Sequence, residues 1–530
     1  MLRIVDVSNN PPAMYGDELT MVYDVYSIIH TGQDQLGNFL PLNFEMGGGR
    51  PVGYGYFSIP FVAAFGTTAL AIRLLSVISG VGLVWAIYFL GKRLFSQKIG
   101  LVAAALLAIS PWDISMSRGG FEAHFALFLS VASVILFLEA TRYKWFYALS
   151  ALSFGLAMHT YSTYKLTIPL FIPLLLWFSN FKSEIKKAGN RLPLIVATIL
   201  VGAALCLIFA QAFLIYSEAR FLSINAFSQN DLRQTVTQKI NFDLNTAGLS
   251  KNISKIFHNK FDEYAGIFVE NYLKNFSMDF LFLHGDGNPR HNMATTGEFY
   301  VVELVTILLG FGFLWKKQSW KNTQFLLGWL GIGPIAATLL LQQHALRANF
   351  MLPPLVVISA VGVVFVWESV GLWRFVKYVL VAGFIIQFLL FTERLYFVSP
   401  NQFGRFWSSP AKQAAQIAIE NGRNFNYVIL SDQIDNMEFA YPVYAQSDPK
   451  VVIEQNRQRA TLGSYQFKKI GNVYIGHIAG SDTEKFLAGL SGSVLYIASI
   501  DEKSNLKNYQ QIEGSNGQVN LLLIEKKNSQ

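Results

Sequence analysis

Charged residues and cysteine are both scarce in this chain. Only 14% of its 530 residues are charged while 52% are hydrophobic, whereas soluble domains carry about 25% charged residues. Cys206 is the single cysteine, so no disulfide can form within the chain. No His/Cys spacing typical of zinc, no repeat and no low-complexity tract is present. These absences exclude a soluble globular protein and a disulfide-stabilised secreted domain, and they indicate a multispanning membrane protein.

Ten apolar runs approach the roughly 20 helical residues that a bilayer core requires. The predicted spans are residues 69–91, 97–113, 123–141, 145–160, 166–180, 192–216, 299–315, 324–342, 348–367 and 374–393. The expected fold is therefore an α-helical polytopic membrane protein with about ten visible spans.

Basic residues are distributed unevenly between the loops that join the predicted spans. Alternate loops between the spans hold Lys92, Arg93, Lys98, Arg142, Lys144, Lys182, Lys186, Lys187, Arg191, Lys316, Lys317, Lys321, Arg374 and Lys377. The short loops opposite hold only Arg118, Lys165 and Arg347. The positive-inside rule then places the rich set in the cytoplasm and the sparse set outside. The net charge of +8 is explained by these membrane-flanking basic residues, and no nucleic-acid partner is predicted.

The segments outside the predicted bundle (69–393) divide the chain further. Residues 1–68 form a first extracytoplasmic loop, and a long external loop covers 217–298. Met1 begins directly in polar sequence, with no span to carry residues 1–68 across the membrane, so we expect one N-terminal span to be missing.

The tail, residues 396–530, predicts a small extracytoplasmic α/β domain. A helix-like segment at 411–422 precedes short apolar runs at 426–431, 473–478, 494–499 and 519–525, separated by Gly, Asn and Ser. Runs of this length between turn residues are typical of strands.

The first chemical candidate is the acidic pair Asp17–Glu18 in PPAMYGDELT (11–20). The pair opens a segment that predicts an amphipathic helix along the membrane. Acids in the first helical turn are stabilised by the helix dipole, so a capping role is one interpretation. The other is a general base that takes a proton from an acceptor hydroxyl.

The second candidate is SPWDISMSRGGFEAH (110–124), which joins two spans on the external side. Arg118 and Glu122 are four residues apart, so a helical ion pair is one interpretation. The intervening Gly119 and Gly120 weaken a helix. Charges confined to this turn favour a functional role.

The third candidate, HTYSTYK (159–165), places His159, Tyr161 and Lys165 at the next external turn. Lys165 could snorkel from a helix end or bind a lipid phosphate.

The fourth candidate, HGDGNPRHNMATTGEF (284–299), contains Asp286, Arg290 and His291 in a Gly/Asn/Pro-rich turn before a span. Such loops display functional side chains, but a solvated turn has the same composition. His291 is a candidate for a metal or a phosphate.

The fifth candidate, QQHALRANFMLPP (342–354), places His344 and Arg347 on one helical face by their i,i+3 spacing. A guanidinium fork suits a phosphate, and snorkelling is the alternative.

The ordered set of GDE (16–18), SPWxxxxSRxxFE (110–122) and HALRxxFMLPP (344–354) resembles the C-type membrane glycosyltransferases. The resemblance is closest to the dolichyl-phosphate-mannose–protein mannosyltransferase-like group, which includes the aminoarabinose transferases of lipid A. It covers residues 10–395 and implies transfer of a hexosyl or pentosyl group from a polyprenyl phosphate to an acceptor outside the cytoplasm, with inversion. The acceptor is a protein, a lipid or a glycan.

The resemblance also implies roles for the candidate residues. Asp17 is the leading base, Glu18 is its neighbour or a metal or acceptor contact, and Glu122 takes the second-loop acidic position. The candidates for the donor phosphate are Arg118, Lys165, Arg290, His291, His344 and Arg347, and those for other substrate contacts are His159, Tyr161 and Asp286. Some relatives use a divalent cation, for which Asp17 and Glu122 are the ligand candidates, and the sequence leaves metal dependence open.

Two alternatives remain at the level of sequence. A transporter or flippase would show inverted repeats or ionisable groups at the bilayer midplane, whereas the polar clusters here fall at predicted external ends. A catalytically inactive scaffold that presents the tail domain predicts that neutralising Asp17 changes nothing.

Overall fold

The computed structural model describes residues 1–45, 49–214, 232–317, 320–339, 343–369, 373–514 and 516–527. The beginning of the predicted long external loop lies outside these residues. Two compact units are present. The first, here the terminal unit, comprises Met1–Ile78, Ser117–Phe121 and Thr392–Gln530, and the second, the helical unit, comprises Ser79–Met116 and Glu122–Phe391.

Helices dominate the chain up to residue 393. In chain order its elements are α1 (Gly16–Thr31), β1 (Asn43–Phe44), β2 (Arg50–Pro51), α2 (Gly53–Phe65), α3 (Ala69–Leu94), α4 (Gln97–Ile109), α5 (Pro111–Arg118), α6 (Glu122–Glu139), α7 (Phe146–Thr160), α8 (Tyr164–Phe178), α9 (Phe181–Ile185), α10 (Arg191–Leu214), α11 (Leu232–Thr246), α12 (Lys251–Phe257), α13 (Lys260–Lys274), α14 (Val301–Lys317), α15 (Trp320–Ile332), α16 (Ile335–Thr338), α17 (Ala345–Ala348), α18 (Leu352–Glu368) and α19 (Trp373–Glu393).

Each of the ten predicted spans coincides with one of these helices or with a consecutive pair, so an α-helical polytopic membrane protein is confirmed. Among the described residues, the helical segments that are long and apolar enough to cross a membrane are Ala69–Leu94, Glu122–Glu139, Arg191–Ala210, Ala345–Glu368 and Phe375–Gln402. Helices α4 and α5, bent by 55° at Ser110, add a sixth if they form one broken span. The other predicted spans are occupied by shorter helices.

Helix packing in the helical unit includes pairs between distant parts of the chain. Helix α14 packs along α18, α18 packs on α4, and α7 packs on both α6 and α10. Gly310 and Gly362 allow α14 and α18 to approach closely, since a Cβ on either would collide with a backbone carbonyl oxygen of the facing helix. Small residues at helix contacts serve this purpose in membrane proteins.

The tail after residue 396 forms an α/β domain, as predicted. Its elements are α20 (Ser399–Gln402), α21 (Ser409–Asn421), β3 (Tyr427–Ser431), α22 (Met437–Tyr444), α23 (Pro449–Arg457), β4 (Ala460–Leu462), β5 (Tyr465–Ile470), β6 (Val473–Gly476), α24 (Thr483–Gly489), β7 (Val494–Ser499), β8 (Gln510–Glu513) and β9 (Val519–Lys526). The four predicted strands are β3, β6, β7 and β9. Strands β4, β5 and β8 were missed because they are short or carry polar residues on their exposed face.

The tail strands form one seven-stranded mixed sheet in the order β4-β5-β6-β3-β7-β9-β8. Strand β3 pairs in parallel with β6 and β7, and the outer strands are antiparallel. The central strands are buried and their side chains join a core that contains Ile429, Phe467 and Tyr496.

Helix α1 is held against the tail domain within the terminal unit. It packs on α2, α22 and α23, and the Tyr23 hydroxyl donates a hydrogen bond to the Ser447 carbonyl at 2.8 Å. The segment after α1 is bound in the same way, since Asn456 donates to the Gln35 carbonyl. The first loop and the C-terminal domain therefore share one compact unit.

Helix α1 also buries an acid. Asp24 is 2% exposed and accepts a hydrogen bond from the Gln35 backbone N–H at 3.1 Å. Burial raises the pKa of Asp24 from 3.8 to about 7, against the opposing hydrogen bonds from Gln35. The folded protein therefore binds this proton more tightly than the unfolded chain does, and stability should fall as the pH rises from 3.8 through about 7.

We expect Asp24→Asn to flatten this pH dependence, because the amide keeps an acceptor oxygen and cannot ionise. The thermal midpoint of the detergent-purified protein, measured at about pH 5 and about pH 8, should differ less in the variant than in the wild type. Asp262→Asn, which changes an exposed acid, is the matched control. An unchanged pH dependence in Asp24→Asn would show that Asp24 is not the group that titrates.

Candidate active site

The two acids of the GDE motif lie in the first turn of α1, where they point in different directions. Tyr15 precedes the helix and makes no side-chain capping bond. Consecutive helical residues are rotated by about 100° around the axis. As a result the Asp17 side chain is 39% exposed, whereas that of Glu18 is fully buried.

Glu18 forms a bidentate ion pair with Arg73, at the beginning of α3. Arg73 Nε donates to Glu18 Oε1 and Arg73 Nη2 donates to Oε2, both at 2.8 Å. The Gly120 N–H also donates to Oε1 at 2.8 Å. A Cβ at Gly120 would lie 3.2 Å from Glu18 Cγ, so glycine suits this approach. Three hydrogen bonds therefore hold the buried carboxylate of Glu18 in place.

Arg73 also holds the segment before α1. Its remaining N–H groups donate to the carbonyls of Val7, Pro11 and Ala13, and its guanidinium lies 5.4 Å from the centre of the Trp407 ring. All five guanidinium donors are therefore used. Fully satisfied donors are what a buried arginine requires.

Arg118 is a second buried arginine that binds the same segment. It is 0% exposed and donates to the carbonyls of Leu2, Val5 and Asn10 and to the Tyr396 hydroxyl. The sequence predicted a phosphate ligand at this position. In the structure the guanidinium is enclosed by backbone oxygens of the terminal unit.

Asp17 is paired with Arg50 of β2. Arg50 Nη2 donates to Asp17 Oδ1 at 3.0 Å, and Nη1 donates to the Asp17 carbonyl at 2.8 Å. Arg50 also donates to the Thr20 hydroxyl at 2.7 Å. These contacts fix the orientation of a carboxylate that solvent still reaches.

In the helical unit, Tyr161 lies between Glu122 of the second candidate segment and Arg347 of the fifth. Its hydroxyl shares a hydrogen bond with Arg347 and interacts with the charge of Glu122. Burial raises the pKa of Tyr161, Arg347 opposes this shift and Glu122 adds to it. Arg347 Nε is buried and has no hydrogen-bond partner among the described residues. This orphan donor is suited to an anionic ligand.

The fourth and fifth candidate segments meet in a cluster of Asp286, His291 and His344. His291 Nδ1 lies 2.9 Å from Asp286 Oδ2, and the two imidazole rings stack with centroids 4.4 Å apart. The Ala345 N–H donates to the same Asp286 oxygen at 2.8 Å. One ligand atom from each residue lies within 4.8 Å of the others, so the three residues could hold a metal ion.

Burial and charge set the ionisation states around this cluster. Burial disfavours ionised Asp286, but the hydrogen bond and charge of His291 outweigh it and lower the pKa of Asp286. Burial, together with the Asp286 charge, raises the pKa of Glu298 well above its usual value. Burial, followed by the charge of His291, lowers the pKa of His344 well below its usual value, and the charges of Arg290 and Arg347 act in the same direction.

The remaining candidates, His159, Arg290 and Lys165, also lie in the helical unit. His159 Nε2 lies 3.2 Å from the Ala204 carbonyl oxygen, between α7 and α10. Arg290 donates to Asn288 Oδ1. Lys165 is half-buried in the first turn of α8. The helical unit thus contains every candidate except Asp17, Glu18 and Arg118, which belong to the terminal unit.

Three residues of the candidate site were missed by sequence reasoning. Arg73 stands in an otherwise apolar run, and an ionisable residue there is a signal of function or of a buried partner. Arg50 follows three consecutive glycines in the sequence, a composition that indicates a flexible turn and gives no sign of a partner for Asp17. Glu298, whose Oε1 accepts the Asp286 N–H at 3.0 Å, was included in the fourth segment without a role.

Residues 49–225 match the sequence profile of the dolichyl-phosphate-mannose-protein mannosyltransferase family. The fold is similar to that of ArnT from Cupriavidus metallidurans in the apo state, with a TM-score of 0.54 and 10% identity over 99% of this chain and 95% of that one. ArnT from the same organism bound to undecaprenyl phosphate gives a TM-score of 0.52 and 11% identity over 98% and 96%. Comparison with curated proteins gave no match. The resemblance inferred from the motifs is confirmed, and the chain has the fold of ArnT.

The contrast between the two acids predicts losses of stability of very different size. We expect Glu18→Ala to destabilise the protein by about 3–5 kcal/mol, because it leaves the buried Arg73 charge without its counterion. Asp17→Asn should cost no more than about 1 kcal/mol, since a part-exposed ion pair contributes little. Thermal unfolding in detergent measures both. Equal midpoints for the two variants would contradict the structural role of Glu18.

Proposed function

We propose that this protein is a membrane glycosyltransferase that transfers a sugar from a polyprenyl phosphate to an acceptor hydroxyl outside the cytoplasm. The proposal rests on the exposure and the fixed orientation of the Asp17 carboxylate. Of the two acids of the GDE motif, it is the one whose carboxylate reaches solvent while an arginine fixes its orientation.

The comparisons support the donor class. The matching family is named for dolichyl-phosphate-mannose as donor, and the ArnT structure of similar fold contains undecaprenyl phosphate. Both are polyprenyl phosphates. The sugar, hexosyl or pentosyl, and the acceptor, a protein, a lipid or a glycan, are left open in this proposal.

Asp17 is proposed as the general base. The acceptor hydroxyl gives its proton to the Asp17 carboxylate while its oxygen attacks the anomeric carbon of the donor. The bond from that carbon to the phosphate oxygen breaks, and the electron pair leaves with the polyprenyl phosphate. One such displacement inverts the anomeric configuration. Glu18 and Arg118 then act as positioning residues, since their contacts hold the segment that carries Asp17.

Cations of the helical unit are proposed to bind the donor phosphate. Arg347 is the strongest candidate, because its Nε is buried without a hydrogen-bond partner among the described residues and a guanidinium binds phosphate bidentately. Arg290, His291, His344 and Lys165 complete the proposed set. Stabilising the negative charge that develops on the leaving phosphate removes the need for a general acid. Glu122, Tyr161, Asp286 and His159 are proposed to orient these groups or the substrate.

The orientation in the membrane is part of the proposal. The basic loops predicted to be cytoplasmic place Asp17, Arg347 and the C-terminal domain on the extracytoplasmic side of the cell membrane. Lipid-linked sugars presented on that side would then reach the proposed groups.

We expect Asp17→Asn to lower transfer by about 100- to 10,000-fold, the usual contribution of a general base. The measurement is transfer from radiolabelled polyprenyl-phosphate sugars in membranes that contain equal amounts of each variant. Glu45→Gln, which neutralises an exposed acid of the same loop, should retain full activity. Equal turnover of wild type and Asp17→Asn would remove Asp17 as the base.

We expect Arg347→Ala to raise the KM for the donor by about 10- to 100-fold, since a hydrogen bond to a charged group contributes about 1.5–3 kcal/mol. Arg347→Lys should recover part of the loss, because lysine restores the charge without the fork. Arg191→Ala removes an exposed arginine of the same unit and serves as control. An unchanged KM in Arg347→Ala would exclude Arg347 as a phosphate ligand.

A further inference from the structure

We propose that the C-terminal domain takes part in catalysis, since its residues Trp407, Lys412 and Tyr444 hold the segment 11–15 that leads into Asp17. The three are positioning residues, which act on the reaction through the proposed base and do not touch the reacting atoms. The catalytic part of this inference rests on the proposed function. The contacts between the domain and the segment do not depend on it.

The segment 11–15 cannot fix its own course. It lies outside the helices and strands and begins with two prolines, which lack a backbone N–H. Tyr15, its last residue, makes no side-chain capping bond to α1. The direction in which α1 begins, and with it the direction of Asp17, therefore depends on contacts from other parts of the chain.

Two hydrogen bonds from the C-terminal domain hold the backbone of this segment. Lys412, near the beginning of α21, donates from Nζ to the Pro12 carbonyl at 2.8 Å. The Met14 N–H donates to the hydroxyl of Tyr444, the last residue of α22, at 3.3 Å. Arg73 binds the carbonyls on either side of Pro12, so three consecutive carbonyls have donors. Buried backbone groups require such partners.

Lys412 and Tyr444 lie beside the buried pair of Glu18 and Arg73. Burial lowers the pKa of Lys412, and the charge of Arg73 acts in the same direction. A lysine beside an arginine is disfavoured in its charged form, so the hydrogen bond to Pro12 is the contact that favours this position. Burial raises the pKa of Tyr444 to about 12, and the charges of Arg73 and Glu18 shift it in opposite directions.

Trp407 packs against the residue that precedes the GDE motif. Its ring meets the Tyr15 ring edge to face, with centroids 5.3 Å apart, and lies 5.4 Å from the Arg73 guanidinium. Phe121 contacts both rings, at 5.9 Å from Tyr15 and 6.4 Å from Trp407. Because Trp407 is 1% exposed and edge-to-face pairs favour one geometry, this packing restricts the Tyr15 ring.

The glycine of the GDE motif also lies against the C-terminal domain. A Cβ on Gly16 would lie 2.5 Å from Asn436 Oδ1, so a larger residue requires something to shift. Asn436 precedes α22, and its Nδ2 donates to Ser408 Oγ at 2.9 Å and to Asp435 Oδ2 at 2.8 Å. These bonds limit how far the amide can move. A side chain at position 16 would therefore push the first turn of α1 away from the domain.

The first test is hydrogen exchange of the full chain in detergent, with no donor present. Lys412→Met keeps the aliphatic stem and removes the N–H donor, and Tyr444→Phe removes only the hydroxyl. We expect peptides covering residues 13–20 to exchange about 3- to 10-fold faster in both variants, the effect of one lost hydrogen bond. Lys450→Met, at an exposed position of α23, and Tyr441→Phe, in the same helix as Tyr444, should exchange as the wild type does.

The second test is transfer from radiolabelled polyprenyl-phosphate sugars. We expect Lys412→Met and Tyr444→Phe to lower kcat by about 10- to 100-fold with an unchanged KM for the donor, because a small displacement of a catalytic group has an effect of this size. Lys412→Arg, which keeps an N–H donor, should recover part of the loss. In an Asp17→Asn background Lys412→Met should cause no further loss, since residues that act as a unit are not additive.

The contact at Gly16 provides a rescue experiment. Gly16→Ala should lower kcat, because the added Cβ collides with Asn436. Asn436→Gly removes that side chain at a residue with a φ of 61°, a conformation that glycine adopts readily. The double variant should therefore regain activity over Gly16→Ala alone. Failure of this rescue would show that the domain does not set the position of the motif through Asn436.

The outcomes distinguish this inference from the proposed function. If Asp17→Asn is inactive while Lys412→Met and Tyr444→Phe keep wild-type kcat, the proposed function stands and the positioning role is refuted. Wild-type exchange in both variants refutes the hold of the domain on the segment, with or without transfer. Faster exchange in a chain that shows no transfer refutes the proposed function and the catalytic part of this inference. If Lys412→Met does not fold, Tyr444→Phe, which removes a single oxygen, decides.

Discussion

The buried ion pair between Glu18 and Arg73 is the contact on which the terminal unit depends. It joins the first turn of α1 to the beginning of α3 and receives a third hydrogen bond from Gly120. The same arginine binds three carbonyls of the segment before α1. An uncompensated charge in this position costs several kcal/mol. Loss of either side chain would therefore also disrupt the backbone contacts that Arg73 makes.

This arrangement separates two adjacent acids into different roles. Glu18 is held on all sides by donors, so it stabilises the structure around it. Asp17, one residue earlier, has one arginine contact and an exposed surface. The position of Asp17, the proposed base, thus depends on its buried neighbour, which fixes the first turn of α1. Precise placement of a base in this way is what catalysis by proximity requires.

In the helical unit, the polar candidates come from several loops instead of one buried ion pair. Its polar residues lie near the ends of apolar helices, where loops from distant parts of the chain meet. Asp286 and His291 come from one loop and His344 from the beginning of α17, and backbone N–H groups hold the carboxylate between them. Arg347, one turn further, keeps a buried donor without a hydrogen-bond partner in the described residues. Residues from separate loops thus place a carboxylate, two imidazoles and an arginine at this end of the helical unit.

The sequence by itself determined the membrane class, the location of helices in the apolar runs and the α/β character of the tail, because hydrophobic length and periodicity are local properties of the chain. It also selected the polar segments that contain the candidate site. Only the tertiary structure decided which of Asp17 and Glu18 is exposed to solvent and which is buried against Arg73, 55 residues from Glu18. The grouping of Asp286 with His344 was likewise invisible in the sequence. Side-chain burial and long-range partners arise from packing, which no local pattern encodes.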